Sequence, residues 1–232
     1  MDSLKERLAW VQERIRSAAV SAGRDSGEIK LIAVCKTYSA DTVNEAVRCG
    51  HLCFGENRVQ EAAAKIPQVQ STLPLAWHLV GHLQSNKASR AAALFDWIHS
   101  VDGLKVLCRL NEGAAEIGKL LPVLIQVDLA REATKSGVVE EHLEELLTAA
   151  SRFRSIELRG FMILPPLLDD PEEVRPYFRH LRELRDKLSI RYPQIRLDQL
   201  SMGMSHDFEV AIQEGATMVR VGTAIFGSRT IP

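Results

Sequence analysis

The sequence predicts an α/β fold, a (β/α)8 TIM barrel preceded by an extra N-terminal helix. Short apolar segments alternate with amphipathic ones along the whole chain, and eight apolar segments are present. Strand–helix alternation is typical of parallel sheets, and eight repeats favour closure into a barrel. The 232 residues contain no low-complexity linker or shift in composition, so one domain over residues 1–232 is expected. An open, doubly wound sheet is the alternative fold.

The predicted strands are short apolar runs, several of them rich in β-branched residues. They cover residues 31–36, 51–55, 75–80, 97–99, 122–127, 158–163, 195–200 and 218–221.

The predicted helices show apolar residues at a spacing of three or four, with capping residues at their ends. The first covers residues 4–22 and precedes the first strand, so it lies outside the repeat. The others cover residues 39–49, 56–65, 84–94, 104–117, 139–150, 171–190 and 205–214.

The charge pattern excludes several classes of partner. A formal net charge of -1 with well-mixed signs offers no basic surface for nucleic acid or an anionic membrane. No apolar run approaches the length of a membrane span, and the N-terminus lacks the apolar core of a secretion signal, so a cytoplasmic location is expected. The four cysteines form no CxxC pair, and neither they nor the pair His78 and His82 support a metal site.

Lys36 ends the first predicted strand. By alternation it shares a face with Ile32 and Val34, in line with core residues. The lysine could simply leave the core and reach water. Alternatively, it is an amine in a partly dry pocket, able to form a Schiff base with an aldehyde.

Two glycine-containing turns follow the seventh and eighth predicted strands, at residues 200–205 and 220–227. TIM barrels commonly bind phosphate at these two loops, and glycine lets the backbone approach an anion. Arg220 alternates with Met218 and faces the barrel interior if Met218 does. A structural ion pair is the alternative explanation for such an arginine.

One cofactor would use all three features, namely pyridoxal 5'-phosphate (PLP). Its aldehyde would bond to Lys36, its phosphate would lie on Ser201, Gly222 and Thr223, and its pyridine nitrogen would face Arg220. Because arginine does not readily give up its proton, that nitrogen would stay unprotonated, which weakens the ring as an electron sink.

Five ordered motifs resemble the YggS/PROSC family, the family of pyridoxal phosphate homeostasis proteins. They lie at residues 32–37, 54–61, 77–87, 200–207 and 219–227. The resemblance implies a barrel similar to the N-terminal domain of bacterial alanine racemase, with PLP on Lys36. It also implies that Asn57 and His78 lie near the cofactor and that Lys135-Ser136-Gly137 forms a family loop.

Two functions are compatible with this resemblance. The first is a non-catalytic carrier or buffer of PLP that supports vitamin B6 and amino-acid balance, with PLP-dependent apo-enzymes as possible partners. The second is an amino-acid racemase, which needs a second acid/base group on the other face of the cofactor. In alanine racemases a tyrosine of an additional C-terminal domain supplies it, and no such domain is expected here, which also favours a monomer. Tyr38 is the one tyrosine near the site by sequence, and it is expected to pack at the barrel rim.

Overall fold

The computed structural model describes residues 3–131 and 136–227 and contains a closed barrel of eight parallel strands in sequential order. This confirms the predicted TIM barrel. The strands are β1 Lys30–Val34, β2 Cys53–Glu56, β3 Ala76–Leu79, β4 Trp97–Val101, β5 Leu121–Val127, β6 Ile156–Ile163, β7 Gln199–Ser201 and β8 Met218–Val221.

Helices follow the strands on the outside of the barrel. Within the described residues they are α1 Leu4–Ser21, α2 Ala40–Arg48, α3 Val59–Lys65, α4 Ala88–Leu94, α5 Leu104–Glu116, α6 Leu143–Ala150, α7 Arg175–Arg191, α8 Phe208–Gln213 and α9 Thr223–Phe226. Short 3-10 turns cover Ser26–Glu28, Ile66–Gln68, Ser85–Lys87, Glu140–His142 and Pro171–Val174. No helix in these ranges combines the length and apolar character needed to cross a membrane.

The extra helix α1 packs against α8 and α9, beside the seam where β1 meets β8. Ser3 begins it with a capping box, in which its hydroxyl accepts from the Glu6 amide at 3.2 Å. Its apolar stripe of Leu4, Leu8 and neighbours is buried, and Arg7 Nε donates to the Ile225 carbonyl at 2.7 Å. The helix therefore stabilises the contact between the first and the last strand, where the sheet closes.

The core has two layers. The larger fills the space between the barrel wall and the helices. The smaller lies inside the barrel and includes Ile32, Val34, Val80, Met162 and Met218. Met218 thus faces the interior, and Arg220 shares its face, as the alternation along β8 requires.

Several predicted boundaries were wrong, among them those of β1, β7 and α3. Strand β1 ends at Val34 rather than residue 36, so Lys36 lies in the following turn. Strand β7 covers Gln199–Ser201 rather than residues 195–200, because the buried residues before it form a loop. Helix α3 begins at Val59 rather than residue 56, since Glu56 still belongs to β2.

Candidate functional site

A cavity of about 650 Å³ opens where the strands end, at the face where TIM barrels carry their sites. Its size suits a small organic molecule. Five of the seven predicted site residues line it, namely Lys36, Asn57, Arg220, Gly222 and Thr223. The structure does not place His78 and Ser201 on its lining; both are fully buried inside the barrel.

The turn that carries Lys36 is held from below by a buried ion pair. Lys65 Nζ donates to Glu56 Oε1 at 2.5 Å and to the Cys35 carbonyl at 2.7 Å. Glu56 is fully buried, and its Oε2 has no hydrogen-bond partner among the described residues. Thr37 adopts a left-handed φ of 69°, a conformation that few non-glycine residues take. The backbone on both sides of Lys36 is therefore constrained by the surrounding structure.

Two backbone amides converge on one oxygen at the cavity wall. The Gly222 and Ala224 amides donate to Ser205 Oγ at 3.2 and 3.4 Å, and Ser205 itself lines the cavity. Backbone amides arranged in this way are suited to an anionic oxygen. Sequence reasoning did not select Ser205, although it ends the glycine-containing turn after β7.

Arg220 reaches the cavity from the barrel interior and is almost fully buried, with 4% exposure. Its guanidinium donates to Ser201 Oγ at 2.6 Å and to the Ile163 carbonyl at 2.8 Å. Burial lowers the pKa of Arg220 to about 10, an effect that Asp207 partly offsets. The group therefore remains charged near neutral pH.

Behind Arg220, a chain of hydrogen bonds crosses the barrel interior. Ser201 Oγ lies 2.8 Å from His99 Nδ1, and His99 Nε2 lies 2.9 Å from His78 Nδ1. The chain continues from His78 Nε2 to Cys53 Sγ at 3.2 Å. Sequence reasoning missed His99, and the only available signal was its inward alternation with Trp97 in β4.

Both histidines of this chain are neutral. Burial, aided by the charge of Lys30, lowers the pKa of His78 to about 3. Burial also lowers the pKa of His99 well below its usual value, and the neighbouring His78 and Arg220 act in the same direction. Each ring therefore offers one donor and one acceptor nitrogen.

Tyr38 packs at the rim of the cavity. Its ring lies 4.9 Å from that of Phe226, and its hydroxyl donates to the Gly227 carbonyl at 2.6 Å. The hydroxyl proton is thus directed at the backbone.

In the predicted family loop, Lys135 lies outside the described residues, while Ser136 Oγ lies 3.1 Å from His82 Nδ1.

Comparison with known proteins places the chain in a family. The family model for the alanine racemase N-terminal domain matches residues 3–230. The pyridoxal phosphate homeostasis protein of Aquifex aeolicus is 44% identical over 97% of both chains. That of Escherichia coli K12 is 42% identical over 99% of this chain and 98% of its own.

Solved structures agree with this placement. PipY of Synechococcus elongatus PCC7942, determined with PLP bound, is 39% identical and superposes with a TM-score of 0.87, covering 97% of this chain and all of PipY. An alanine racemase of Clostridium difficile shares the fold with a TM-score of 0.71 at 18% identity, and the match covers 58% of that enzyme. The chain therefore belongs to the family of pyridoxal phosphate homeostasis proteins, which carry the alanine racemase N-terminal domain.

Proposed function

We propose that this protein binds PLP in the cavity, as a Schiff base on Lys36, and carries or buffers the cofactor for vitamin B6 and amino-acid homeostasis. One observation carries the proposal: the barrel brings Lys36, after the first strand, into one cavity with Arg220 and Gly222, from the last strand and its turn. The PLP bound to PipY and the names of the 42–44% identical relatives support it. The whole chain, residues 1–232, is proposed to form the one binding domain.

The residues present fit this cofactor. Lys36 would hold the aldehyde carbon, while Thr223 and the Gly222 amide, now bonded to Ser205, would hold the phosphate. Asn57 also lines the cavity. When bound, PLP supplies an electrophilic aldehyde and an electron-withdrawing ring.

Arg220 decides what chemistry the site supports. A guanidinium has donors and no acceptor, so it would bond to the pyridine nitrogen only while that nitrogen is unprotonated. The pKa of about 10 keeps Arg220 charged at neutral pH and opposes a second positive charge on the ring. An unprotonated ring stabilises carbanions weakly, which favours a carrier over an enzyme with robust turnover.

A weak racemase remains the second candidate, because the fold is that of the alanine racemase barrel. Tyr38 would have to be its second base, yet its hydroxyl donates to the Gly227 carbonyl. We therefore propose that the protein turns over no substrate of its own. If Tyr38→Phe abolished a measurable racemase activity of the wild type, the carrier assignment would be wrong.

The proposed carrier would act as a cytoplasmic monomer and deliver PLP to PLP-dependent apo-enzymes. The well-mixed surface charge supports a role without nucleic acid or membrane partners.

The test is the absorption spectrum of the PLP-loaded protein before and after borohydride. A visible band that borohydride removes, with a reduced adduct mapped to Lys36 by mass spectrometry, is the expected result. Lys36→Ala should lack the band, and Lys105→Ala, which removes an exposed lysine on α5, should keep it. No band in the wild type after addition of PLP, or an adduct on another lysine, would overturn the proposal.

A further inference from the structure

Arg220 is a buried cation whose bonded partners are uncharged. Within residues 3–131 and 136–227, its hydrogen bonds go to the Ser201 hydroxyl and the Ile163 carbonyl, and no carboxylate pairs with it at contact distance. A buried charge without a counter-ion is unfavourable unless polar groups are oriented toward it. Asp207 acts on Arg220 electrostatically without an ion-pair contact, so the polar groups bonded to the guanidinium must supply the rest of its stabilisation.

The hydrogen-bond chain behind Arg220 has one proton arrangement that satisfies every member. Arg220 can only donate, so Ser201 Oγ accepts from it, and the Ser201 hydrogen needs an acceptor. The acceptor within reach is His99 Nδ1 at 2.8 Å. This requires the His99 proton on Nε2, from which it points to His78 Nδ1 at 2.9 Å.

His78 then carries its own proton on Nε2, directed at Cys53 Sγ 3.2 Å away. In this arrangement every hydrogen along the chain points away from Arg220. The acceptor end of each dipole therefore faces the guanidinium, and hydrogen bonds aligned head to tail strengthen one another.

We infer that His99 and His78 are positioning residues, which act through Ser201 to hold Arg220 charged and directed at the cavity, where it selects a ligand with an unprotonated ring nitrogen. The inference rests on the proposed function and specifies how the site recognises the ring. Neither histidine touches the cavity, so their effect on a ligand must pass through Arg220.

The surroundings of the pair support this assignment. Asp207 acts on Arg220 at one end of the hydrogen-bond chain and Asp96 acts on Cys53 at the other, but the charged side chains that act on the imidazoles themselves are the cations Arg220 and Lys30. Lys30 Nζ lies 5.4 Å from the Trp97 ring centre. That ring stacks on His78, with centroids 5.9 Å apart. These cations oppose the addition of a second proton to either imidazole. Both rings therefore stay neutral, and the hydrogen bonds keep their direction.

The first test needs no cofactor. Nitrogen-15 NMR of the histidine rings in the cofactor-free protein should show His78 and His99 neutral and protonated on Nε2 throughout roughly pH 6 to 8, around the ordinary histidine pKa. The His99→Leu spectrum assigns the signals. A His99 proton on Nδ1, or titration of either ring in this range, would overturn the inference.

The second test compares the affinity for PLP with that for its 1-deaza analogue, in which a C–H group replaces the ring nitrogen. A hydrogen bond from a charged donor corresponds to a preference of about tenfold or more for PLP in the wild type. His99→Leu should reduce this preference to near unity. His99→Asn, which can still offer an acceptor to Ser201, should keep most of it.

His51→Leu is the matched control. His51 is a buried histidine that does not belong to the hydrogen-bond chain, and its Nε2 bonds to the Cys53 carbonyl at 2.7 Å. It should keep the wild-type preference. If His99→Leu also keeps it, the inference fails while the proposed function stands. If the wild type binds neither compound, the proposed function fails, and the inference with it.

Discussion

The two neutral histidines inside the barrel make the protein sensitive to mild acid. Because their folded-state pKa values lie below the unfolded value of 6.5, the unfolded chain binds more protons, and stability falls as pH drops below about 6.5. Between about pH 7.5 and about pH 5, each unfolded histidine takes up nearly one proton while His78, with a pKa of about 3, stays neutral. Linkage gives a loss of about 2 kcal/mol for His78, and His99, whose pKa burial also lowers, adds a loss of the same sign.

That loss is a large part of the total stability of a typical domain, which is about 5–15 kcal/mol. Urea unfolding of the cofactor-free protein at the two pH values measures it directly. His99→Leu should reduce the pH-dependent loss of stability, whatever its effect at neutral pH, because it removes one of the histidines whose pKa burial lowers. Ser100→Ala, which removes a buried hydroxyl bonded to the Gly81 carbonyl at 2.6 Å, should leave that part unchanged. A wild-type loss below about 1 kcal/mol, or an equal loss in His99→Leu, would refute the reasoning.

Three further outcomes are expected. Lys65→Met should lower the free energy of unfolding by about 3–5 kcal/mol, because it leaves the Glu56 carboxylate buried without its cation. In urea unfolding, the double variant Lys65→Met/Glu56→Leu should recover most of that loss, and a loss equal to the sum of the two single variants would contradict the explanation. Gly81→Ala should lower the thermal unfolding midpoint and the PLP affinity, since its Cβ would overlap the Asn57 carbonyl oxygen. The Cβ of Gly103→Ala would meet nothing within 4 Å, so this control should change neither quantity. Cys53, whose pKa burial raises to about 12, should resist iodoacetamide in the native protein and react in denaturant, as mass spectrometry would show; native labelling would contradict it.

The fold could be predicted because an apolar run indicates a buried segment. In a parallel barrel every strand is such a segment, and amphipathic helices separate one strand from the next. The same signal misplaced β7. Ile195 and Leu197 are buried, at 8% and 5% exposure, but they lie in a loop that packs on the core. Local sequence indicates that a residue is buried and does not indicate which backbone hydrogen bonds it makes.

The site could be predicted in part for a related reason. Lys36, Arg220 and Gly222 were predicted to lie together because strand ends meet at one face of a barrel, and the structure places all three on one cavity. The contact between His99 and Ser201 joins residues 102 positions apart, and it depends on strand register and barrel tilt, which neighbouring residues do not encode. For this reason the sequence did not indicate that Ser201 and His78 lie buried inside the barrel, behind the residues that line the cavity.

Closure of the barrel has a consequence for biosynthesis. Strand β1 pairs with β8, so Lys36 and Arg220 are brought together by the last strand of the sheet, 184 positions later in the chain. At about 5–20 residues per second, a ribosome needs roughly 9–37 s to pass from one to the other. A nascent chain that stops before β8 contains Lys36, the lysine proposed to bind PLP, without Arg220 and Gly222. We therefore expect stable binding of PLP only after β8 has been synthesised, and products truncated before β8 should not retain PLP.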